Sequence, residues 1–140
     1  MRILILCTGN SCRSQIAQTL LQSFDKNLYV RSAGTKIADK VNPYAIEVLK
    51  EHGFDISGRC PVDVRDYLNE KWNYVITVCD GAKESCPNFT GEVGHKLHIS
   101  FPDPADATGN HDEILKVFRA VFKDIKEKFY EFYLDKCKEE

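Results

Sequence analysis

A run of four apolar residues, Ile3-Leu4-Ile5-Leu6, ends at Cys7-Thr8-Gly9-Asn10-Ser11-Cys12-Arg13-Ser14, and beyond Arg13 the hydrophobic period becomes helical. A continuous apolar run is what a strand buried on both faces requires. Ile16, Ala17, Leu20, Leu21 and Phe24 then fall on one helical face. A loop that leaves a buried strand and enters a helix aims its N–H groups and the positive end of the helix dipole at one spot. That spot is an anion site. A cysteine at its first position is expected to titrate well below the free value of about 8.5, because the same donors stabilise a thiolate. Arg13 can fork two N–H groups onto a tetrahedral oxyanion, a planar geometry that lysine lacks. Cys7 is therefore the candidate nucleophile and Arg13 the candidate clamp. Thr8, Gly9, Asn10, Ser11, Cys12 and Ser14 line the loop, with Gly9 expected to make the bend and Asn10 and Ser14 to shape it and hydrogen-bond the thiolate.

The remainder of the chain bounds what such a site can serve. With 140 residues, 43% hydrophobic and 29% charged, the sequence suits one globular domain over residues 1–140. A net charge of −2 and the lack of a basic stripe argue against a nucleic-acid or anionic-membrane surface. Any anion binding must be local. The apolar stretch before Cys7 is too short for a signal-peptide core or a membrane span, so a cytoplasmic protein is expected. There are six cysteines, at 7, 12, 60, 79, 86 and 137, which in that compartment suggest catalytic or redox use rather than three disulfides. Cys79, Cys86, His95 and His98 could tempt zinc, but their gaps lie outside the usual structural spacings and no metal is expected.

Strands and helices alternate along the chain. Residues 28–34 read as a second strand ending in a glycine turn. Asn42 and Pro43 open a helix with Ala45, Ile46, Val48 and Leu49 on its apolar face, and Gly53 ends it. Residues 55–67 carry mixed signals, with room for a short helix. Residues 74–78 form a clear third strand that delivers Cys79 to the carboxyl end of the sheet, where open α/β folds place their ligands. Residues 96–99 read as a short fourth strand. Asn110 and Glu113 make a capping-box start, after which Ile114, Phe118, Val121, Phe122, Ile125, Phe129 and Phe132 recur at helical spacing as core. Cys137 sits among charged residues in a tail expected to fray, without a role. The fold class is α/β: one three-layer domain with a four-stranded parallel sheet in order 2-1-3-4, right-handed crossovers and flanking helices.

Two further stretches bear on chemistry. Cys79-Asp80-Gly81-Ala82-Lys83-Glu84-Ser85-Cys86 places one thiol after a core strand, as Cys7 is placed, and a second in a polar setting. Pro87 limits any helix inside it. In Phe101-Pro102-Asp103-Pro104, two prolines hold one carboxylate in an extended turn.

With these residues in view, the first loop resembles the phosphate loop of the low-molecular-weight tyrosine phosphatase superfamily, and CTGNSCRSQ is similar in particular to that of thioredoxin-coupled arsenate reductases. Ser32-Ala33-Gly34-Thr35 matches the superfamily, and the C-x6-C at 79–86 resembles the reductases' redox cassette. The resemblance covers almost the whole chain and implies a phosphotyrosine protein phosphatase I-like fold. It implies that Asp103, before Pro104, is the general acid. Phosphatases of this kind commonly follow that pair with tyrosines; Ala105 and Asp106 stand here, which suits a small inorganic oxyanion. Several of the reductases bind potassium near the loop through an acidic residue in the first helix and oxygen ligands from a later loop. Gln18, Cys60 and Val62 stand at those places, so no potassium site is expected.

The resemblance thus implies arsenate reduction. Cys7 attacks arsenate, protonated Asp103 donates to the departing hydroxide, Cys79 attacks Cys7 with release of arsenite, and Cys86 resolves the disulfide for external thioredoxin, with no bound cofactor. Two alternatives stay open. One is a phosphatase acting on phosphotyrosine or a small phosphoester through Cys7, Arg13 and Asp103 alone; the other is a non-catalytic redox or metal-binding thiol module. The expected partners are arsenate or phosphate and thioredoxin, with no nucleic acid or membrane and a monomeric chain.

Overall fold

The computed structural model describes residues 1–138. Four parallel strands form one sheet: β1 (Arg2–Cys7), β2 (Tyr29–Gly34), β3 (Trp72–Thr77) and β4 (Val93–His98), in order β2-β1-β3-β4. The order is the one expected. Ile3, Leu4, Ile5 and Leu6 have no solvent exposure, which accounts for their unbroken apolar character at the centre of the sheet. Helix α1 (Arg13–Phe24) packs on β1 and β2, and α2 (Pro43–Glu51) and α4 (His111–Phe132) pack against one another and α1. The five-residue α3 (Asp80–Glu84) sits at the carboxyl ends of β1 and β3. No described helix is long and apolar enough to cross a membrane.

Local signals explain the element starts. Asn42 caps α2 by accepting from Tyr44 N–H at 2.8 Å, with Pro43 at the first helical position. Asn110 and Glu113 cap α4 reciprocally. Phe118, Val121, Phe122, Ile125, Phe129 and Phe132 are buried as the periodicity demands, whereas Ile114 is only partly so. The mixed segment at 55–67 holds a 3₁₀ turn at Val64–Tyr67.

Several strand boundaries depart from the sequence reading. The third strand begins at Trp72, two residues early and ends at Thr77, and the fourth begins at Val93 rather than at 96. β4 is an edge strand whose middle faces solvent, so Val93-Gly94-His95 carries little hydrophobic signal. The tail differs more. Tyr133–Cys137 continues α4 as a π-helical turn, and Cys137 is buried, its thiol pushed up to about 11 mainly by that burial. The expected fraying therefore does not begin before Lys138, while Glu139 and Glu140 lie outside the described residues.

The β1/β2 register pairs Cys7 with Gly34. A Cβ at Gly34 would lie 2.5 Å from the Thr8 carbonyl oxygen, so only glycine lets β2 end against the loop after β1. Gly34→Ala should force backbone apart and destabilise the protein by about 1–3 kcal/mol. Urea denaturation checks it; an unchanged midpoint would mean that the loop yields freely.

Candidate active site

β1 and β3 run side by side with Leu6 opposite Thr77, and Val78 N–H donates to the Leu6 carbonyl at 2.9 Å. The chain then leaves both strands at cysteines. Cys7 begins the loop to α1, and Cys79 caps α3 by accepting from Ala82 N–H at 3.4 Å. Thr8 Oγ1 lies 3.3 Å from Cys79 Sγ, joining the two turns. A Cβ at Gly81 would come within 2.7 Å of that hydroxyl, so glycine lets α3 rest on the loop. Both thiols are almost fully buried.

The loop is strapped from outside. Carbonyls of Cys7, Thr8, Gly9 and Ser11 accept from the N–H groups of Thr35, Lys36, Ala38 and Asn42. Among the described residues, the N–H groups of residues 9 to 12 donate to no protein acceptor. They and the start of α1, which has neither a side-chain cap nor an acid in its first turn, leave unpaired N–H groups where the sequence suggests an anion cradle. Arg13 is held beside it: Nη1 donates to the Phe101 carbonyl at 3.0 Å, and Nη2 lies 3.5 Å from Asp103 Oδ2. Asp103 Oδ1 accepts from Ala105 N–H at 2.9 Å, which fixes the carboxyl at the start of a 3₁₀ turn, Pro104–Asp106.

Asn10 organises the loop from inside, in a manner sequence did not reveal. It is fully buried at φ 54°, so the left-handed residue is Asn10 and not Gly9; asparagine tolerates that region better than most residues. Its Nδ2 donates to Ser14 Oγ at 2.8 Å and Ser32 Oγ at 2.9 Å, while Oδ1 accepts from Gln15 Nε2 at 3.1 Å and Val62 N–H at 2.9 Å. Among the described residues neither Asn10 nor Ser14 hydrogen-bonds Cys7, contrary to the expectation that they would hold the thiolate directly. The signal for Ser32 was present in Ser32-Ala33-Gly34-Thr35, but Gln15 and Val62 carry none.

The charge of the site belongs to two sulfurs. The direct Cys7–Cys79 interaction is the largest influence on each: with burial it pushes the Cys7 thiol up, against the pull of Arg13 and Thr8 N–H. Cys79 moves the other way, to about 5, helped by Thr8 Oγ1, Ala82 N–H and Arg13. The expectation of a depressed Cys7 is thus corrected: the thiol brought down is Cys79, and because the two groups interact the low value belongs to the pair. Cys12 is pushed up to about 12, by burial first and then by Asp103. Cys86 is half-buried beyond α3, raised by burial and eased by Lys96.

The chain matches the low molecular weight phosphotyrosine protein phosphatase family over residues 2–140. It belongs to that family. Within it, the chain is 38% identical over 131 residues, 93% of each chain, to an arsenate reductase of Halalkalibacterium halodurans. It is similar in structure to an arsenate reductase in a phosphate-binding state, at 25% identity and TM-score 0.76, covering 96% of this chain and 97% of the other. A thioredoxin-dependent arsenate reductase of Corynebacterium glutamicum matches at 28% identity and TM-score 0.64, covering 96% of this chain and 63% of that one.

Gln18, Cys60 and Val62, the places at which the resemblance puts potassium ligands, line one cleft with Gln15, Arg31, Ser32 and Arg59. Gln18 Oε1 accepts from Ser32 Oγ at 2.6 Å, and the Arg59 guanidinium enters the same cleft to reach Thr19 Oγ1 at 2.9 Å. Two arginines, a thiol and amides do not suit a hard cation. The tempting zinc residues are engaged elsewhere: His95 stacks on Tyr74, while His98 bonds Thr77 and Asp80.

Because the Cys79 thiol is brought down to about 5, the pair carries a thiolate at neutral pH and loses it as pH falls through that value. Ultraviolet thiolate absorbance of the reduced protein should show that acid step. Fully protonated Cys7 and Cys79 at neutral pH would contradict this account.

Proposed function

We propose that the protein is an arsenate reductase that passes two electrons through Cys7, Cys79 and Cys86 to arsenate and is re-reduced by thioredoxin. One observation carries this reading: a second buried thiol, Cys79, follows the strand paired with β1 and lies 3.3 Å from the hydroxyl of Thr8, the residue next to Cys7. A phosphatase needs only the first. The names of the relatives, including the thioredoxin dependence of the Corynebacterium protein, support the same substrate and reductant.

In the proposed reaction the loop N–H groups and Arg13 hold arsenate, the Cys79 thiolate takes the proton of Cys7, and the Cys7 thiolate so formed attacks arsenic. Asp103 gives a proton to the departing hydroxide, which leaves as water. A Cys7 sulfur–arsenic bond results. Cys79 gives its proton to an oxygen on arsenic and attacks the Cys7 sulfur; the electron pair of the sulfur–arsenic bond stays on arsenic, which departs as protonated arsenite, and a Cys7–Cys79 disulfide forms. Cys86 attacks Cys79, Cys7 leaves as thiolate, and a Cys79–Cys86 disulfide remains for thioredoxin.

That last exchange requires movement. Asp80–Glu84 is helical with Cys79 as its cap and Ser85 at its end, and a helical rise of 1.5 Å per residue carried on to Cys86 would put residues 79 and 86 about 10 Å apart. A disulfide needs α-carbons within about 7 Å. Helix α3 must therefore unwind at least in part, and of its residues only Ala82 is buried. The reading further takes the enzyme to be cytoplasmic, monomeric and a single domain over 1–140; the six thiols, all free among the described residues, suit a reducing compartment.

A second reading, phosphoester cleavage by Cys7, Arg13 and Asp103, is favoured by the family itself. Arsenate-dependent NADPH oxidation in the presence of thioredoxin and thioredoxin reductase tests the first. Wild-type protein should turn over; Cys79→Ser should lose this activity while keeping any cleavage of a chromogenic phosphoester. Loss of both together would assign Cys79 to structure alone, and the absence of arsenate turnover in wild-type protein would leave the phosphatase reading.

A further inference from the structure

The cleft that fails to suit a cation has the opposite character. It encloses about 280 Å³ behind the loop, and among its walls are Gln15, Gln18, Arg31, Ser32, Arg59 and Tyr67. Arg31 lies over the Tyr29 ring, its Cζ 3.9 Å from the centroid, with Nη1 on the Val30 carbonyl. Arg59 is half-buried with Nη1 on Thr19 Oγ1. Among the described residues neither arginine forms an ion pair with a carboxylate. The two guanidinium groups stand close enough for Arg31, after burial, to lower the pKa of Arg59. Half-buried like charges without a counter-charge are an unusual arrangement, because desolvation and repulsion act together.

A second observation narrows the ligand. Gln15 is 2% exposed, and its Oε1 is the one buried side-chain atom among the described residues without a hydrogen-bond partner. Its orientation is fixed, since Nε2 donates to both the carbonyl and Oδ1 of Asn10, which a flipped amide oxygen could not do. The cleft therefore offers positive charge, and Gln15, one of its walls, carries just beneath the surface an amide oxygen that still needs a donor. A fully ionised anion such as sulfate satisfies only the first requirement. An oxyanion that keeps a proton at neutral pH satisfies both.

We propose that this cleft is a second anion site, taking hydrogen phosphate or hydrogen arsenate, with Arg31 and Arg59 on its oxygens and Gln15 Oε1 accepting from its hydroxyl. The ligand would touch the catalytic loop through one residue. Gln15 holds Asn10, and Asn10 sets the left-handed turn of the loop, so occupancy behind the loop is linked to the anion cradle in front of it.

Calorimetric titration of the reduced protein with inorganic phosphate tests this without any turnover. Wild-type protein should bind two phosphates per chain, one at the loop and one in the cleft. Arg13→Ala should keep the cleft phosphate, whereas Arg59→Gln should weaken it roughly ten-fold or more and keep the other. Arg31→Gln, which removes a guanidinium without opening the interior, should act like Arg59→Gln and covers a failure of the latter to fold. Sulfate should fill the loop alone. One phosphate per wild-type chain, two undiminished in both arginine variants, or equal filling of the cleft by sulfate would each overturn the proposal.

Discussion

The register between β1 and β3 is the constraint on which the site depends. With Leu6 opposite Thr77, two parallel strands about 5 Å apart end together, and the first side chains beyond them include Cys7 and Cys79. Neighbouring central strands cannot slip by one residue without turning their buried faces outward. The two strand ends that carry these cysteines are thus held side by side by the hydrophobic core. That placement couples the titration of the two thiols, because burial disfavours two adjacent thiolates while Arg13, Thr8 and Ala82 favour one.

Around that pair, the loop is held in place by polar groups that face inward and backbone groups that face outward. Asn10 uses both amide donors and its oxygen on four partners drawn from α1, β2 and the segment at Val62. The straps from residues 35 to 42 take up the loop carbonyls, which leaves N–H groups free for an anion. An oxyanion site of this kind gains from preorganisation: its dipoles are already oriented before charge arrives. Helix α3 has the contrary property. It is short, mostly exposed and set on the loop through Gly81 and Thr8, so it can hold Cys79 against Cys7 and still release it at small cost.

The strand order and the strand–loop–helix around Cys7 were legible because buried parallel strands and amphipathic helices write long, regular patterns. Cys79 and Cys86 stood out because one follows a core strand and the other sits in a polar turn before Pro87, whereas Asp103 drew attention only through the resemblance to the family. What sequence did not show depends on contacts between distant segments. Asn10 was visible as a loop residue, but its bonds to Ser32 and Val62 span 22 and 52 positions, and nothing periodic announces them. Gly9 looked like the bend because glycine is the usual left-handed residue, yet the loop uses asparagine, whose side chain the site also needs. Cys137 was misjudged by its charged neighbours, of which Asp135, Lys136 and Lys138 face solvent while the thiol is buried.

The central claim is that electrons leave through Cys79 and Cys86 by way of Cys7. It is tested most directly by allowing one arsenate turnover without reductant, trapping free thiols and mapping the disulfides by peptide mass spectrometry. The relay predicts a Cys79–Cys86 disulfide with Cys7 and Cys12 free. A Cys7–Cys12 bond, or no disulfide at Cys79 and Cys86, would contradict it.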